Sequence, residues 1–188
     1  MWKKAEGIRM TEEIQDLQKK LRIGWFSFTC CEDSTIMMTE LMNDHFFEWK
    51  RLLDIRHAKV LKTKNNLDSL DVAFVEGAIS SDAQAEKLKK IRSVSKKLVA
   101  IGSCAVTGFP SAQRNLFDQA TKAEIQPILD RFRYADKVLK LDEVVPVDAV
   151  VPGCPMDTDI FLEVLNQMLT EFGIIPFRER NSLDVPGT

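Results

Sequence analysis

The segment LRIGWFSFTCCEDS, residues 21–34, decides the fold of this chain. It begins with an apolar run typical of a buried strand and continues into a polar turn that carries two adjacent cysteines, Cys30 and Cys31. Residues 33–35 (DST) are types that cap helices, so a helix is predicted over residues 36–53. The segment therefore predicts a strand, a turn and a helix in succession, which is the repeating unit of a parallel α/β sheet.

The same alternation continues along the chain. Further strands are predicted at residues 58–61, 71–75, 97–101 and 147–151, and further helices at residues 11–20, 83–94, 116–133 and 157–171. Pro127 is an expected break in the third of these helices, and Pro155 is placed just inside the start of the last one. This alternation predicts an α/β fold: a flavodoxin-like parallel sheet with helices on both faces.

Length and charge limit the classes of function. A chain of 188 residues fits one domain, and a net charge of −2 does not favour binding to nucleic acid or to a membrane surface. No run approaches the roughly 18 consecutive apolar residues of a membrane span, and the start MWKKAEGIRM lacks the apolar core of a signal peptide. The sequence therefore favours a cytoplasmic protein without direct membrane insertion.

All four cysteines follow predicted strands: Cys30 and Cys31 after the first, Cys104 and Cys154 after two later ones. Because the carboxyl ends of parallel strands lie at one edge of a sheet, we expect these thiols to meet there. A reducing compartment keeps thiols free, which favours ligands or catalysts over disulfides. Gathered thiolates suit a soft metal, either zinc or an iron–sulfur cluster. Buried, inert thiols are the alternative.

The cysteine spacing favours a cluster over zinc. Zinc knuckles place two cysteines about two to four residues apart, and the sequence contains no C-x-x-C. The adjacent Cys30 and Cys31 are awkward for one small ion, whereas a wider cubane can span them. Gly102 and Gly153, near the other two cysteines, let backbone approach a cluster closely.

Few other residues carry a chemical signal. Glu76 ends a predicted strand at the same edge, where its carboxylate is placed to relay protons or bond a partner; a solvent-exposed or helix-capping role is the alternative. Glu32 and Asp33 flank the tandem cysteines, and Asp33 fits a helix cap better than a ligand. His45 and His57 are expected to be surface or packed residues. Phosphate-binding loops and the common hydrolase motifs are absent from the sequence.

Four segments resemble the small, electron-transferring subunit of nickel-iron hydrogenases, especially the soluble cytoplasmic kind, and its homologue, the cluster-bearing 20 kDa subunit of complex I. They are RIGWFSFTCCEDS (22–34), DVAFVEGAIS (71–80), KKLVAIGSCAVTG (96–108) and VDAVVPGCPMD (147–157). The resemblance covers residues 21–169. It implies a flavodoxin-like iron–sulfur domain at residues 21–172, between an N-terminal helical extension (1–20) and a C-terminal tail (173–188).

The resemblance also implies the residues of the site. Cys31, Cys104 and Cys154 match family ligands of the proximal 4Fe-4S cluster. Ser34 stands where hydrogenase subunits usually carry the second cysteine of a C-x-x-C pair, so the fourth ligand is assigned to Cys30; tandem cysteines are the habit of the complex I subunit. Glu76 matches the glutamate of the hydrogenase E-G-A/S motif, which implies a proton path or tuning of the cluster.

The function implied is that of the electron-transfer small subunit of a cytoplasmic nickel-iron hydrogenase. It would carry one 4Fe-4S cluster between a large subunit that holds the nickel–iron site and further iron–sulfur or flavin subunits. No cysteine or histidine follows Cys154, which limits the chain to one cluster. Two alternatives stay open: a complex I-like subunit that passes electrons to a quinone or other acceptor without a nickel partner, and a zinc-stabilised α/β interaction module.

Overall fold

Five strands form the sheet at the centre of this computed structural model, which describes residues 19–176. The strands are β1 (Leu21–Ser27), β2 (Leu53–Ala58), β3 (Leu70–Glu76), β4 (Ser95–Ile101) and β5 (Ala149–Val151). The α-helices are α1 (Asp33–Asp44), α2 (Phe46–Leu52), α3 (Asp82–Ser93), α4 (Gly102–Thr107), α5 (Gln119–Phe132) and α6 (Thr158–Glu171). Short 3₁₀ helices occupy Gln113–Leu116 and Leu141–Glu143.

All strand pairs of the sheet are parallel, in the order β2-β1-β3-β4-β5. This is the strand order of flavodoxin-like folds, so the predicted fold class is confirmed. The carboxyl ends of the inner strands lie in register, since Glu76 of β3 pairs with both Ser27 of β1 and Ile101 of β4. The loops that follow β1, β3, β4 and β5 therefore emerge at one edge, where ligands bind in such sheets.

Apolar side chains fill both faces of the sheet. Val72 and Phe74 of β3 belong to the core that contains residues of α1, α2 and α6, while Ala73 and Val75 belong to the core that contains residues of α3. All of β3 is buried, as expected for a central parallel strand with helices on each side. Burial on both faces makes the sheet a rigid base for the edge loops.

The predicted helix over residues 36–53 is wrong in its continuity and in its end. A break at His45 separates α1 from α2, and Leu53 begins β2, where it pairs with Leu21 of β1. β2 therefore ends where the predicted strand at 58–61 begins. The helical spacing of apolar residues continues as far as Leu53, but the backbone there pairs with β1. Strand pairing in the folded chain therefore overrides the local helical pattern.

The region around Cys104 also differs from the prediction. Cys104 lies within α4, a short helix that was not predicted because the sequence here contains Gly and Pro. α5 begins later than predicted and is not broken at Pro127. Pro127 and Ala123 are both exposed, so the Ala123 carbonyl that Pro127 leaves without a donor is accessible to water.

The observed structure differs from the prediction in the bounds of β5 and of the last helix and in the residues just before β1. β5 is shorter than the predicted strand at 147–151. Pro155 is not at the start of α6, because Asp157 is the N-cap and its carboxylate accepts from the N–H groups of the first turn. The predicted helix at 11–20 lies outside the described residues except for its last two, which precede β1 without helical structure.

Candidate functional site

One depression at the carboxyl edge of the sheet is lined by all four cysteines. Cys30 and Cys31 come from the loop between β1 and α1, Cys104 from α4, and Cys154 from the loop between β5 and α6. Glu76 and Ser34 line the same depression. The structure thus brings together the residues that the sequence singled out, although their function as ligands stays a prediction.

The first cysteine loop is held against the loop that follows β3. Thr29 and Ala78 exchange two backbone hydrogen bonds of 3.0 and 2.9 Å. Gly77 allows this close approach, because a Cβ at this position would lie 2.9 Å from the backbone of the first loop. The result leaves Cys30 half-buried and Cys31 exposed.

Cys104, the third cysteine of the chain, lies in the first turn of α4. Gly102, with φ +77°, turns the chain from β4 into this helix. The N–H of Ser103 donates to the carbonyl of Gly153 at 2.7 Å, which ties the second cysteine loop to the third. Cys104 is buried, and its Sγ accepts a hydrogen bond from the Ser111 hydroxyl at 3.2 Å.

The third loop folds back sharply around Cys154. Gly153 has φ +110°, and a Cβ there would lie 2.4 Å from the carbonyl oxygen of Pro155. The N–H of Met156 donates to the Ser34 hydroxyl oxygen at 3.2 Å, so this loop is bonded to the first helix as well. Cys154 itself is exposed at the rim of the depression.

Glu76 is a buried carboxylate with partners on α1. Its Oε1 accepts from the backbone N–H of Ser34 at 3.1 Å, and its Oε2 accepts from the Thr35 hydroxyl at 2.6 Å. The Thr35 oxygen in turn accepts from the indole N–H of Trp25 at 2.8 Å. The partial positive charge at a helix N-terminus stabilises a carboxylate there. Glu76 is therefore not the solvent-exposed strand end that was one alternative.

In the free chain, the pKa values of the Cys30 and Cys31 thiols are both raised above the ordinary value of a thiol. Burial raises the pKa of the Cys30 thiol to about 12, and the charge of Glu76 adds to the rise. The pKa of Cys31 is also raised: the Asp33 N–H lowers it, but partial burial and the Asp33 carboxylate together outweigh that effect. A metal centre bound here must displace these protons, as thiolate ligands require.

The donor set fits an iron–sulfur cluster. Four thiols, from two loops and the short helix α4, supply the ligand number of a 4Fe-4S cluster, and Gly102 and Gly153 near Cys104 and Cys154 leave the space that a Cβ would fill. Within residues 19–176, no three His, Cys, Asp or Glu side chains lie close enough together to hold a single metal ion.

Other candidate residues have structural positions. His45 and His57 stack on aromatic rings and do not line the depression. Glu32, not Asp33, occupies the N-cap of α1, with φ 65° and no side-chain cap, so the predicted capping role of Asp33 is wrong. Asp33 lines the depression instead.

Sequence reasoning missed the hydroxyl groups that support this site. Thr35 bonds Glu76, and Ser111 bonds Cys104. The sequence marked Thr35 only as a helix-cap type and did not single out Ser111, because each contact joins segments that only the tertiary fold brings together.

Across residues 19–176, no helix has the length and apolar character needed to cross a bilayer.

The model of one protein family, described as NADH ubiquinone oxidoreductase, 20 Kd subunit, matches residues 30–168, a span that includes all four cysteines. The chain belongs to this family. Membership confirms the resemblance seen in the four sequence segments.

Relatives of this 20 kDa-subunit family member include hydrogenase subunits. The chain is 25% identical over 166 residues to the NAD-reducing hydrogenase HoxS subunit delta of Cupriavidus necator, covering 80% of this chain and 79% of that protein. It is 27% identical over 148 residues to the Sulfhydrogenase 2 subunit delta of Pyrococcus furiosus. That match covers 77% of this chain but only 60% of the relative, so the chain spans less than two thirds of its length.

A solved structure shares the fold of this family member. A chain in the crystal structure of an NAD+-reducing NiFe-hydrogenase in the H2-reduced state superposes with a TM-score of 0.68 at 22% identity. The superposition covers 86% of this chain and 97% of the other.

Proposed function

We propose that this chain is the electron-transfer small subunit of a cytoplasmic nickel-iron hydrogenase. It carries a single proximal 4Fe-4S cluster held by Cys30, Cys31, Cys104 and Cys154. Its partners are a large subunit that contains the nickel–iron site and further iron–sulfur or flavin subunits. The observation that carries the proposal is the convergence of four thiols, from the segments that follow β1, β4 and β5, on one depression at the sheet edge.

In the proposed function, the cysteines, the loop hydrogen bonds and Glu76 at the sheet edge each contribute to electron transfer. A bound 4Fe-4S cluster accepts and releases electrons singly. The hydrogen bonds among the three loops fix the thiols in advance, which limits the rearrangement that electron transfer requires. Cys31 and Cys154 are exposed, so the edge is accessible to a partner subunit. Glu76 is proposed to tune the cluster or to pass protons, since its carboxylate lines the same depression.

Metal analysis of the native complex tests this function. We expect about four iron and four acid-labile sulfide per chain after anaerobic purification, as a cubane requires. Nickel should co-purify with the partner large subunit, and the complex should reduce a dye with hydrogen. Zinc without iron would refute the cluster and favour a zinc-stabilised interaction module. An intact complex with iron but without nickel would refute the hydrogenase assignment.

Exchange of ligand positions tests the fourth thiolate. Cys30→Ser should lower the iron content, because it removes one of four ligands. Adding Ser34→Cys to that variant creates the C-x-x-C spacing with Cys31 and should restore iron, since Ser34 lines the same depression. Ser95→Ala, a buried serine at the opposite end of β4, is the control and should load iron normally. Full iron in Cys30→Ser would contradict the ligand set.

The tandem cysteines favour a second candidate, a complex I-like subunit that passes electrons to a quinone or other acceptor without a nickel partner. Both candidates require the same cluster, so iron alone does not separate them. Nickel in the complex and hydrogen-dependent dye reduction separate them, because only the hydrogenase has both.

A further inference from the structure

Ser34 is a buried serine whose hydroxyl proton has no acceptor in the described chain. It is 4% exposed, and its oxygen accepts from the N–H of Met156 at 3.2 Å. Within residues 19–176, this bond from Met156 is the one hydrogen bond that the Ser34 hydroxyl makes, and the hydroxyl makes it as an acceptor. A hydroxyl carries one donor, and leaving a buried donor unpaired is unfavourable. The hydroxyl proton of Ser34 therefore needs a hydrogen-bond acceptor from outside the protein chain.

The surroundings of Ser34 point to that acceptor. Its oxygen would lie 2.9 Å from a Cβ at Gly102, so it sits against the turn that leads to Cys104. Ser34 also lines the depression with all four cysteines. Since Met156 donates to one side of the hydroxyl oxygen, the hydroxyl proton is left to point elsewhere, and the inorganic sulfide of a bound cluster is the acceptor that this depression would present.

We propose that the Ser34 hydroxyl donates a hydrogen bond to the sulfur atoms of the bound cluster and raises its reduction potential. This rests on the proposed function. Reduction adds negative charge to the cluster, so a donor aimed at its sulfurs favours the reduced state, and such hydrogen bonds are among the factors that set cluster potentials. Ser34 is thus a positioned donor beside the cluster and not one of its ligands.

A redox titration of the full-length chain, purified anaerobically, tests this role. The midpoint potential is followed by optical or electron paramagnetic resonance spectroscopy, with iron content measured in parallel. Ser34→Ala should keep its iron and shift the midpoint to a more negative value. Ser34→Thr, which keeps the hydroxyl, should return the midpoint to that of the wild type.

Ser95→Ala is the matched control. Ser95 is also a buried serine, but its hydroxyl donates to the Ile91 carbonyl at 2.6 Å, at the end of β4 away from the cysteines. Its replacement should leave the midpoint unchanged. A shift of equal size in Ser95→Ala would overturn the proposal, because the effect would then not be local.

Three results at Ser34 would also overturn it. An unchanged midpoint in iron-loaded Ser34→Ala would show that the hydroxyl does not reach the cluster. Loss of iron from a folded Ser34→Ala chain would make the oxygen a ligand. A Ser34→Thr midpoint as negative as that of Ser34→Ala would assign the shift to packing. Absence of iron from the wild-type chain would instead refute the proposed function, so the two failures are distinguishable.

Discussion

Single residues at the sheet edge hold three separate loops in one arrangement. The Ser103 N–H joins the loops of Cys104 and Cys154, and the Met156 N–H joins the latter to Ser34. These bonds are made by backbone amides and one hydroxyl, not by the thiols. The bonds that join these segments therefore do not use the cysteine sulfurs, although the Cys104 Sγ also accepts from the Ser111 hydroxyl.

Replacement of Gly153 should distort the third loop. Gly153→Ala places a Cβ 2.4 Å from a backbone carbonyl oxygen at φ +110°, so we expect a loss of about 3 kcal/mol of unfolding free energy and of bound iron. Gly173→Ala is the control: its φ is also positive, at +65°, but nothing lies within 4 Å of the added Cβ. It should cost about 1 kcal/mol and keep its iron.

Denaturant unfolding and iron analysis of both glycine variants measure this difference. Equal losses of unfolding free energy in Gly153→Ala and Gly173→Ala would mean that the positive φ angle alone causes the loss. In that case the close contact with the Pro155 carbonyl would not constrain the loop.

Replacement of Glu76 separates charge from packing. Glu76→Gln retains the volume of the side chain and can still accept from the Ser34 N–H, while its amide can donate to the Thr35 oxygen. We expect the variant to fold and to keep its iron. If Glu76 passes protons, hydrogen-dependent dye reduction by the complex should fall by about a hundredfold or more, the range general for proton-transfer residues.

The other reading of Glu76 predicts a different measurement. If it only tunes the cluster, the loss of a negative charge should shift the midpoint potential to a more positive value with little effect on activity. An unchanged potential together with unchanged activity would exclude both roles and leave Glu76 as a structural acceptor at the start of α1.

At the scale of elements, the sequence predicted the alternation of strands and helices and the placement of cysteines and Glu76 at strand ends. The prediction from sequence failed where the local residue pattern indicates one structure and the contacts of the folded chain produce another. Leu53 fits a helical stripe yet pairs with Leu21, and Gly102 resembles a loop residue yet begins α4. The Ser34 to Met156 bond joins residues 122 positions apart, a contact that no local signal encodes.

Strands β1, β3 and β4 are also joined at their starting ends by one carboxylate. Asp71 accepts from the Arg22 guanidinium at 2.9 and 3.0 Å and from the Lys96 ammonium at 2.8 Å. Burial alone would raise the pKa of Asp71, but these bonds outweigh it and hold the pKa well below its usual range. Asp71→Asn should therefore lower the unfolding free energy by about 2 kcal/mol at neutral pH.

The pH dependence of this loss has a definite sign. Because the pKa of Asp71 is lower in the folded than in the unfolded chain, its contribution is complete above about pH 4 and is lost as pH falls through the folded pKa. Wild type and Asp71→Asn should thus converge in stability at acid pH. Glu86→Gln is the control, since the Glu86–Lys89 pair is exposed and should change stability by less than about 0.5 kcal/mol. A constant difference across pH would refute the linkage.

In the molecule as a whole, the fold and the site are stabilised by different interactions. Phe74 and Leu98 are fully buried in the two cores, and the parallel ladders that join the strands involve none of the cysteines. The sheet should therefore persist when the proposed cluster is removed. The edge loops should loosen, because a cluster bound only by the folded chain adds its binding free energy to stability.

Anaerobic iron chelation tests this separation. We expect the far-ultraviolet circular dichroism of the chain to be retained and its Tm to fall by about 5 °C or more, since 1 kcal/mol corresponds to about 2–4 °C for a chain of this size. Cys104→Ser should already show the lower Tm and should not respond to the chelator. Amide exchange should rise in the three cysteine loops and stay slow in β3, which is buried along its whole length. Collapse of the circular dichroism on chelation would instead mean that the sheet depends on the cluster, and the loops would then be part of the folding core.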